Sequence, residues 1–298
     1  MNKKTFLSQF PTFRKLWEEY LENIKPIPHG WTVMSDYCLD NAEKNDCIAF
    51  TICPIFAQPE QMGHFLDKKL PSDIKHIKKF PENTIKFIRD CKIFFSIVFL
   101  FPTKQKLADI QYLKTDIAAL AESIMITDES RKRLKLFSQS LKKKCLNEKV
   151  LKNLSLISFL FGRIVEFLTI KHFTEWINWF PDRDDVMSIG NGIILDMSNI
   201  HLNNAIAGRA NCPEIHIGGE NPDLKEFIFD PFVRYPDILT GFFSSVSIWK
   251  KIKPKEKHVQ LWKEAIAGNK RIAVFIMYPD KICCIPCTNS NAAETSLV

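Results

Sequence analysis

The stretch from Ile93 to Phe101, IFFSIVFLF, is almost unbroken apolar sequence, rich in β-branched and aromatic residues, and Pro102 ends it. A strand with one wet face alternates apolar and polar residues, whereas one without that alternation is covered on both faces. This segment therefore predicts a central strand of a sheet with a layer packed on each side, which directs the chain towards a layered α/β architecture.

The surrounding pattern supplies the rest of such a fold. Trp31 to Cys38 alternates, with Trp31, Val33 and Tyr37 on one face and Thr32, Met34 and Asp36 on the other. Cys47 to Ile55 follows after a polar connection, predicting a hairpin. Prolines 59, 71 and 81 break the lysine-rich stretch 58–90 into short helical pieces. Residues 104–171 contain no proline and keep helical spacing at Leu107, Ile110, Leu113, Ile117 and Leu120, and again at Leu154, Ile157, Leu160, Ile164 and Phe167. Strands are predicted at Glu175 to Phe180, Glu214 to Ile217 and Ile272 to Met277, and a helix at 189–207. Pro236 is expected to open a helix running to Trp249, because proline is favoured at the first helical position. The expected organisation is an N-terminal helical segment (1–30), an α/β domain (31–288) with a long helical insertion at about 104–171, and a flexible tail (289–298).

Composition narrows the functional classes. With 46% hydrophobic residues the chain is not a disordered one. Lys and Arg exceed Asp and Glu by 41 − 34, a net charge of +7 compatible with a polyanionic partner. No apolar region follows Met1-Asn2-Lys3-Lys4 before Pro11, and Leu154 to Ile170 contains Arg163 and Glu166, so neither a signal peptide nor a membrane span is expected. The nine dispersed cysteines fit reduced thiols in a cytoplasmic protein. P-loop, dinucleotide-binding, serine-hydrolase and HExxH patterns are absent from the sequence. Cys284 and Cys287 in CCIPC have zinc-knuckle spacing but no second close pair, with only Cys212 and His216 as remote candidates. His201 and His216 are candidate bases, each set against a satisfied polar residue near an element end.

The acids are more informative. WFPDRDDV, residues 179–186, places Asp182, Asp184 and Asp185 directly after a predicted strand. Alone it is good turn chemistry with Arg183 as a ready partner. Asp237 lies in the expected first turn of the Pro236 helix, where the macrodipole favours an acid whatever the function. Asp36 sits inside a strand between Met34 and Cys38, where a carboxylate is costly unless it is paired or metal-bound. Convergence of these acids would suit Mg²⁺ or Mn²⁺, hard cations that prefer carboxylate oxygen. Two basic clusters, Arg131 to Lys144 and Lys250 to Lys257, are either solvated faces or phosphate contacts.

The order of the acids resembles the ribonuclease H-like superfamily, in particular a group of uncharacterised bacterial proteins. That group opens on a strand bearing Asp-Glu-Ser-Gly, carries a second acid after a central strand, and ends on an Ala-Asp-aliphatic pair-Ala-Gly helix start. SDYCLD (35–40), WFPDRDD (179–185) and YPDILTG (235–241) stand at these places, with Asp237, Ile238, Leu239 and Gly241 matching the last of them. The resemblance implies a ribonuclease H-like mixed sheet flanked by helices and a metal-dependent nuclease or related phosphoryl-transfer enzyme acting on DNA or RNA. Its metal ligands would be Asp36, Asp182 and Asp237, with Asp184 as an auxiliary catalytic acid. It also implies a bacterial mobile-element or phage-defence setting. Tyr37 and Cys38 replace the family's Glu and Ser, which opens a second expectation: an inactive relative kept as a binding subunit of a protein complex.

Overall fold

The computed structural model describes residues 5–102, 115, 117–118, 121–122, 127–142, 148–172, 174–182, 193–206, 213–218, 230–278 and 280–287. The chain divides into two compact units. One comprises Met1–Leu7, Lys104–Lys171 and Arg183–Cys212, and the other Ser8–Thr103, His172–Asp182 and Pro213–Val298. The predicted tail lies outside the described residues.

The second unit contains a mixed sheet of seven strands: β1 (Gly30–Cys38), β2 (Asp46–Pro54), β3 (Phe95–Phe101), β4 (Trp176–Pro181), β5 (Glu214–Ile217), β6 (Ile272–Met277) and β7 (Ile282–Pro286). Their spatial order is β5-β4-β1-β2-β3-β6-β7. β2 runs antiparallel to both β1 and β3, and β7 antiparallel to β6. The pairs β1–β4, β4–β5 and β3–β6 are parallel. Five strands thus point one way, and the ends of β1 and β4 lie side by side. The fold is α/β, as the sequence predicts.

Every residue of β3 is buried, as its apolar run requires, and strand alternation assigns its side chains to two layers. On one face α1 (Pro11–Glu22) sets Phe13 and Trp17 against Phe95, with ring centroids 5.9 and 5.1 Å apart, and Trp17 lies 5.6 Å from Trp31. On the other face Met34, Ala49, Val98 and Val274 pack in one cluster with α2 (Pro59–Asp67), α3 (Glu82–Asp90) and a C-terminal helical pair. Each fully buried large side chain here contributes about 1.5–3 kcal/mol relative to exposure.

In the first unit α4 (Asp128–Lys142), α5 (Glu148–Lys171) and α6 (Ile193–Ile206) are helical. A Cβ added at Gly162 of α5 would lie 2.8 Å from the Cβ of His201, so glycine permits this close crossing of α5 and α6. Asp196, buried, accepts two bonds from Arg133 at 2.8 and 2.9 Å. Residues 149–171 are long and apolar enough to cross a membrane by length and composition, and 61% of an 18-residue apolar portion of that helix is buried within the protein.

The expected helix at Pro236 is corrected. Helix α7 spans Asp230–Phe243, with Pro236 in its interior. Its start is supplied by Asp230 and Pro231, an acid and a proline in the first turn, the same chemistry one and a half turns earlier. After Phe243 the chain turns and enters α8 (Glu256–Leu261), followed by a π-helical turn, Trp262–Ile266. The CCIPC segment, with its zinc-knuckle spacing, runs through β7 and ends on Cys287 just beyond it. Burial pushes the Cys284 and Cys287 thiols up to about 12, so both are thiols rather than thiolates. Cys212 lies outside the described residues.

Candidate functional site

Asp36 lies two residues before the end of β1 and points into the layer that contains α7. The strand is required there by the pairing of Asp36 with Ala49 of β2. Its side chain is 7% exposed. The Thr240 hydroxyl, from the third turn of α7, donates to Asp36 Oδ2, and also contacts the carbonyls of Pro236 and Asp237 at 3.1 Å. Asp237 sits one turn before Thr240 on the same helix and is half-buried. Because Pro236 lies within the helix, Asp237 is in mid-helix rather than in a first turn, and the macrodipole does not account for it.

Asp182 follows β4 immediately. Its backbone N–H donates to the Ser35 carbonyl at 2.8 Å, extending the β1–β4 ladder by one residue, and its carbonyl accepts from the Tyr37 hydroxyl at 2.9 Å. The parallel register therefore carries Asp182 to the end of β1 that bears Asp36. Asp184, Asp185 and Arg183 lie outside the described residues.

The three acids are electrostatically coupled. Burial pushes the Asp36 carboxyl well above the usual carboxylate range; Asp237 adds to this, the Thr240 hydrogen bond opposes it, and Asp182 raises it further. Asp237 is also raised, first by burial and then by Asp182, while Lys75, Lys44 and Lys257 hold it down. A strand end, the residue after a neighbouring strand, and a mid-helix position thus lie within electrostatic reach of one another and of several lysines. Among the described residues, no group of three or more His, Cys, Asp or Glu side chains is arranged as a ready-made metal cage.

The basic clusters divide. In α4, Arg131 pairs with Asp128 at 2.6 Å, Arg133 with Asp196 and Glu129, and Lys135 with Glu122 at 3.3 Å. The side chains of Lys142, Lys143 and Lys144 lie outside the described residues. In the second cluster Lys257 is buried, and its ammonium donates to the carbonyls of Ile74 at 2.6 Å and Lys75 at 3.2 Å. His258 beside it is pushed down to about 4 by burial and then by Lys257, Lys44 and Lys255, so its ring is neutral at physiological pH. Among the described residues, neither candidate base joins the acids in a hydrogen bond: His201 belongs to α6, and His216 pairs with Glu214 at 3.7 Å in β5.

The sequence offered no functional signal for Thr240 or Lys44. Thr240 was visible only as a residue within YPDILTG, and Lys44 only as part of a polar connection. Comparison with known proteins adds no relative: no family model, curated protein or solved structure matches this chain.

Proposed function

We propose that this chain is a divalent-metal-dependent nuclease, or a related phosphoryl-transfer enzyme, on a ribonuclease H-like fold. One observation carries the reading: Asp36, Asp182 and Asp237, far apart in sequence, lie close enough at the adjacent ends of two parallel strands to interact electrostatically. Ligands of open α/β sheets bind in the crevice outside the carboxyl ends of the strands. The mixed sheet flanked by helices and the order of acids along β1, β4 and α7 agree with the family the motifs resemble.

The donor set fits Mg²⁺ or Mn²⁺. It consists of oxygen donors, and their mutual repulsion is the crowding that a divalent cation relieves. A complete protein cage is not required, since Mg²⁺ is commonly bound by one or two carboxylates together with water and substrate phosphates. Such an ion supplies charge neutralisation at a phosphate and activation of water. Thr240 orients the Asp36 carboxylate, while the ladder bond to Ser35 and the Tyr37 hydroxyl fix the backbone of Asp182. Lys44, Lys75 and Lys257 give the acidic centre the positive flank that a polyanion needs.

Tyr37 favours the second reading, an inactive relative serving as a binding subunit. It stands where the family has a glutamate, and its hydroxyl is committed to the Asp182 carbonyl. Melting curves with and without millimolar Mn²⁺, together with cleavage of labelled DNA and RNA, separate the two. The nuclease reading expects Mn²⁺ to raise the melting temperature of the wild type, and Asp237→Asn to abolish both that rise and cleavage. A wild type indifferent to Mn²⁺ and inert towards both nucleic acids favours the scaffold.

A further inference from the structure

The turn between β1 and β2, residues 39–45, is more heavily tied down than a surface connection needs to be. Its neighbour in space is the segment that follows α7. Lys250, in that segment, donates from its ammonium to the carbonyls of Asn41 and Ala42, each at 3.1 Å, and to that of Lys44. Asn45, fully buried, adds two more bonds: its backbone N–H to the Ser244 carbonyl at 2.9 Å, and its side-chain amide to the Val246 carbonyl at 2.6 Å. Within the turn, Asp40 takes a positive φ of 58° and donates its N–H to Asp46 Oδ1 at 2.7 Å. An ammonium has three donors and prefers to spend them on charged acceptors or water. Spending all three on one turn's carbonyls makes Lys250 a clamp rather than a surface charge. The clamped turn carries Lys44, and α7, the helix leading into the clamping segment, carries Asp237 and Thr240.

We propose that this turn is a positioning device, in which Lys250 and Asn45 hold the Lys44 ammonium facing the Asp36–Asp182–Asp237 cluster so that it contacts a phosphate of the polyanionic substrate. Lys44 is then the substrate contact, and Lys250 a positioning residue that acts through it. The proposal rests on the nucleic-acid reading above, but not on turnover. The turn joins β1 to β2 at the end of β1 that bears Asp36, so Lys44 belongs to the same end of the sheet as the acids.

The test is binding of a labelled single-stranded oligonucleotide in EDTA, measured across a salt series for Lys44→Met, Lys250→Met and the double variant. Loss of one phosphate contact lowers the salt slope by about 0.7 for a single strand. Lys44→Met and Lys250→Met should each show that drop, and the double variant no further one, because both remove the same contact. Asn45→Ala frees the turn without changing charge and should give the same drop, its folding checked by circular dichroism. A wild-type slope in Lys250→Met overturns the inference, as does a double variant whose loss is the sum of the two. A wild type that does not bind the oligonucleotide at all also overturns it. Because EDTA removes metal, failure of the Mn²⁺ and cleavage tests with oligonucleotide binding intact would sink the nuclease reading and leave the positioning role standing.

Discussion

At the scale of single residues, Asp36 is where stability and function oppose each other. A carboxyl whose proton affinity is raised on folding contributes stability below its unfolded pKa, near 3.8, and that contribution is lost as pH rises through the higher folded value. The metal-free protein should therefore be strained by Asp36 at neutral pH. Asp36→Asn, which leaves an oxygen to accept the Thr240 hydroxyl, should raise the melting temperature at pH 7 to 8, and the advantage should vanish at pH values below 3.8. Melting curves of both proteins across that range in EDTA check it; an advantage of the variant over the wild type no larger at pH 8 than at pH 3.5 would show that folding does not raise the proton affinity of Asp36. Thr240→Val, nearly isosteric, removes the hydroxyl that restrains Asp36. It leaves a buried acceptor without its donor and should cost about 1–3 kcal/mol, read from urea unfolding.

At the scale of elements, the informative case is the crossing of α5 and α6. Glycine is normally a liability inside a helix, by roughly 1 kcal/mol relative to alanine, so propensity alone predicts that Gly162→Ala stabilises α5. The geometry predicts the opposite. The new methyl would meet His201 Cβ at 2.8 Å and the Ser198 carbonyl at 3.1 Å, and the second of these is backbone that cannot swing away. Overpacking of this kind costs about 1–3 kcal/mol. Urea unfolding of Gly162→Ala decides between them, and a more stable variant would mean that the two helices separate at little cost. Helix α7 teaches a related lesson about termini. Proline suits a first turn, but it does not mark one when a better start, Asp230-Pro231, stands six residues earlier.

At the scale of the whole molecule, the sheet and all three described acids belong to one unit, and α4, α5 and α6 to the other. If the acids bind Mn²⁺, the ion stabilises the unit that holds them. At a free concentration of 100 times the dissociation constant the gain is about 2.7 kcal/mol. Hydrogen exchange should then slow around β1, the end of β4 and α7, while the amides of α5 and α6 keep their metal-free rates. Equal slowing in both units would show that the insertion is coupled to the site, and would give it a role that its sequence does not suggest.

The sequence by itself determined the layered α/β class, because a strand like Ile93 to Phe101 can be satisfied only between two covering layers. It also determined which side chains of β1 share a face, since strand periodicity is local and strict; Met34 and Asp36 do face the same layer. Strand positions at Glu214 to Ile217 and Ile272 to Met277 were legible for the same reason, and the match at YPDILTG pointed to the helix that carries Asp237. Whether these acids meet was not legible. That depends on β4 pairing in parallel with β1, and so on which strands are neighbours, a property of long-range pairing with no local signature. The weight given to Asp237 changed for a similar reason: only the packed helix, begun at Asp230, removes it from a first turn and leaves it without a local excuse. The lysines escaped notice because a basic residue in a connection reads as solvated until a tertiary contact, such as Lys250 on the carbonyls of the β1–β2 turn, gives it a direction.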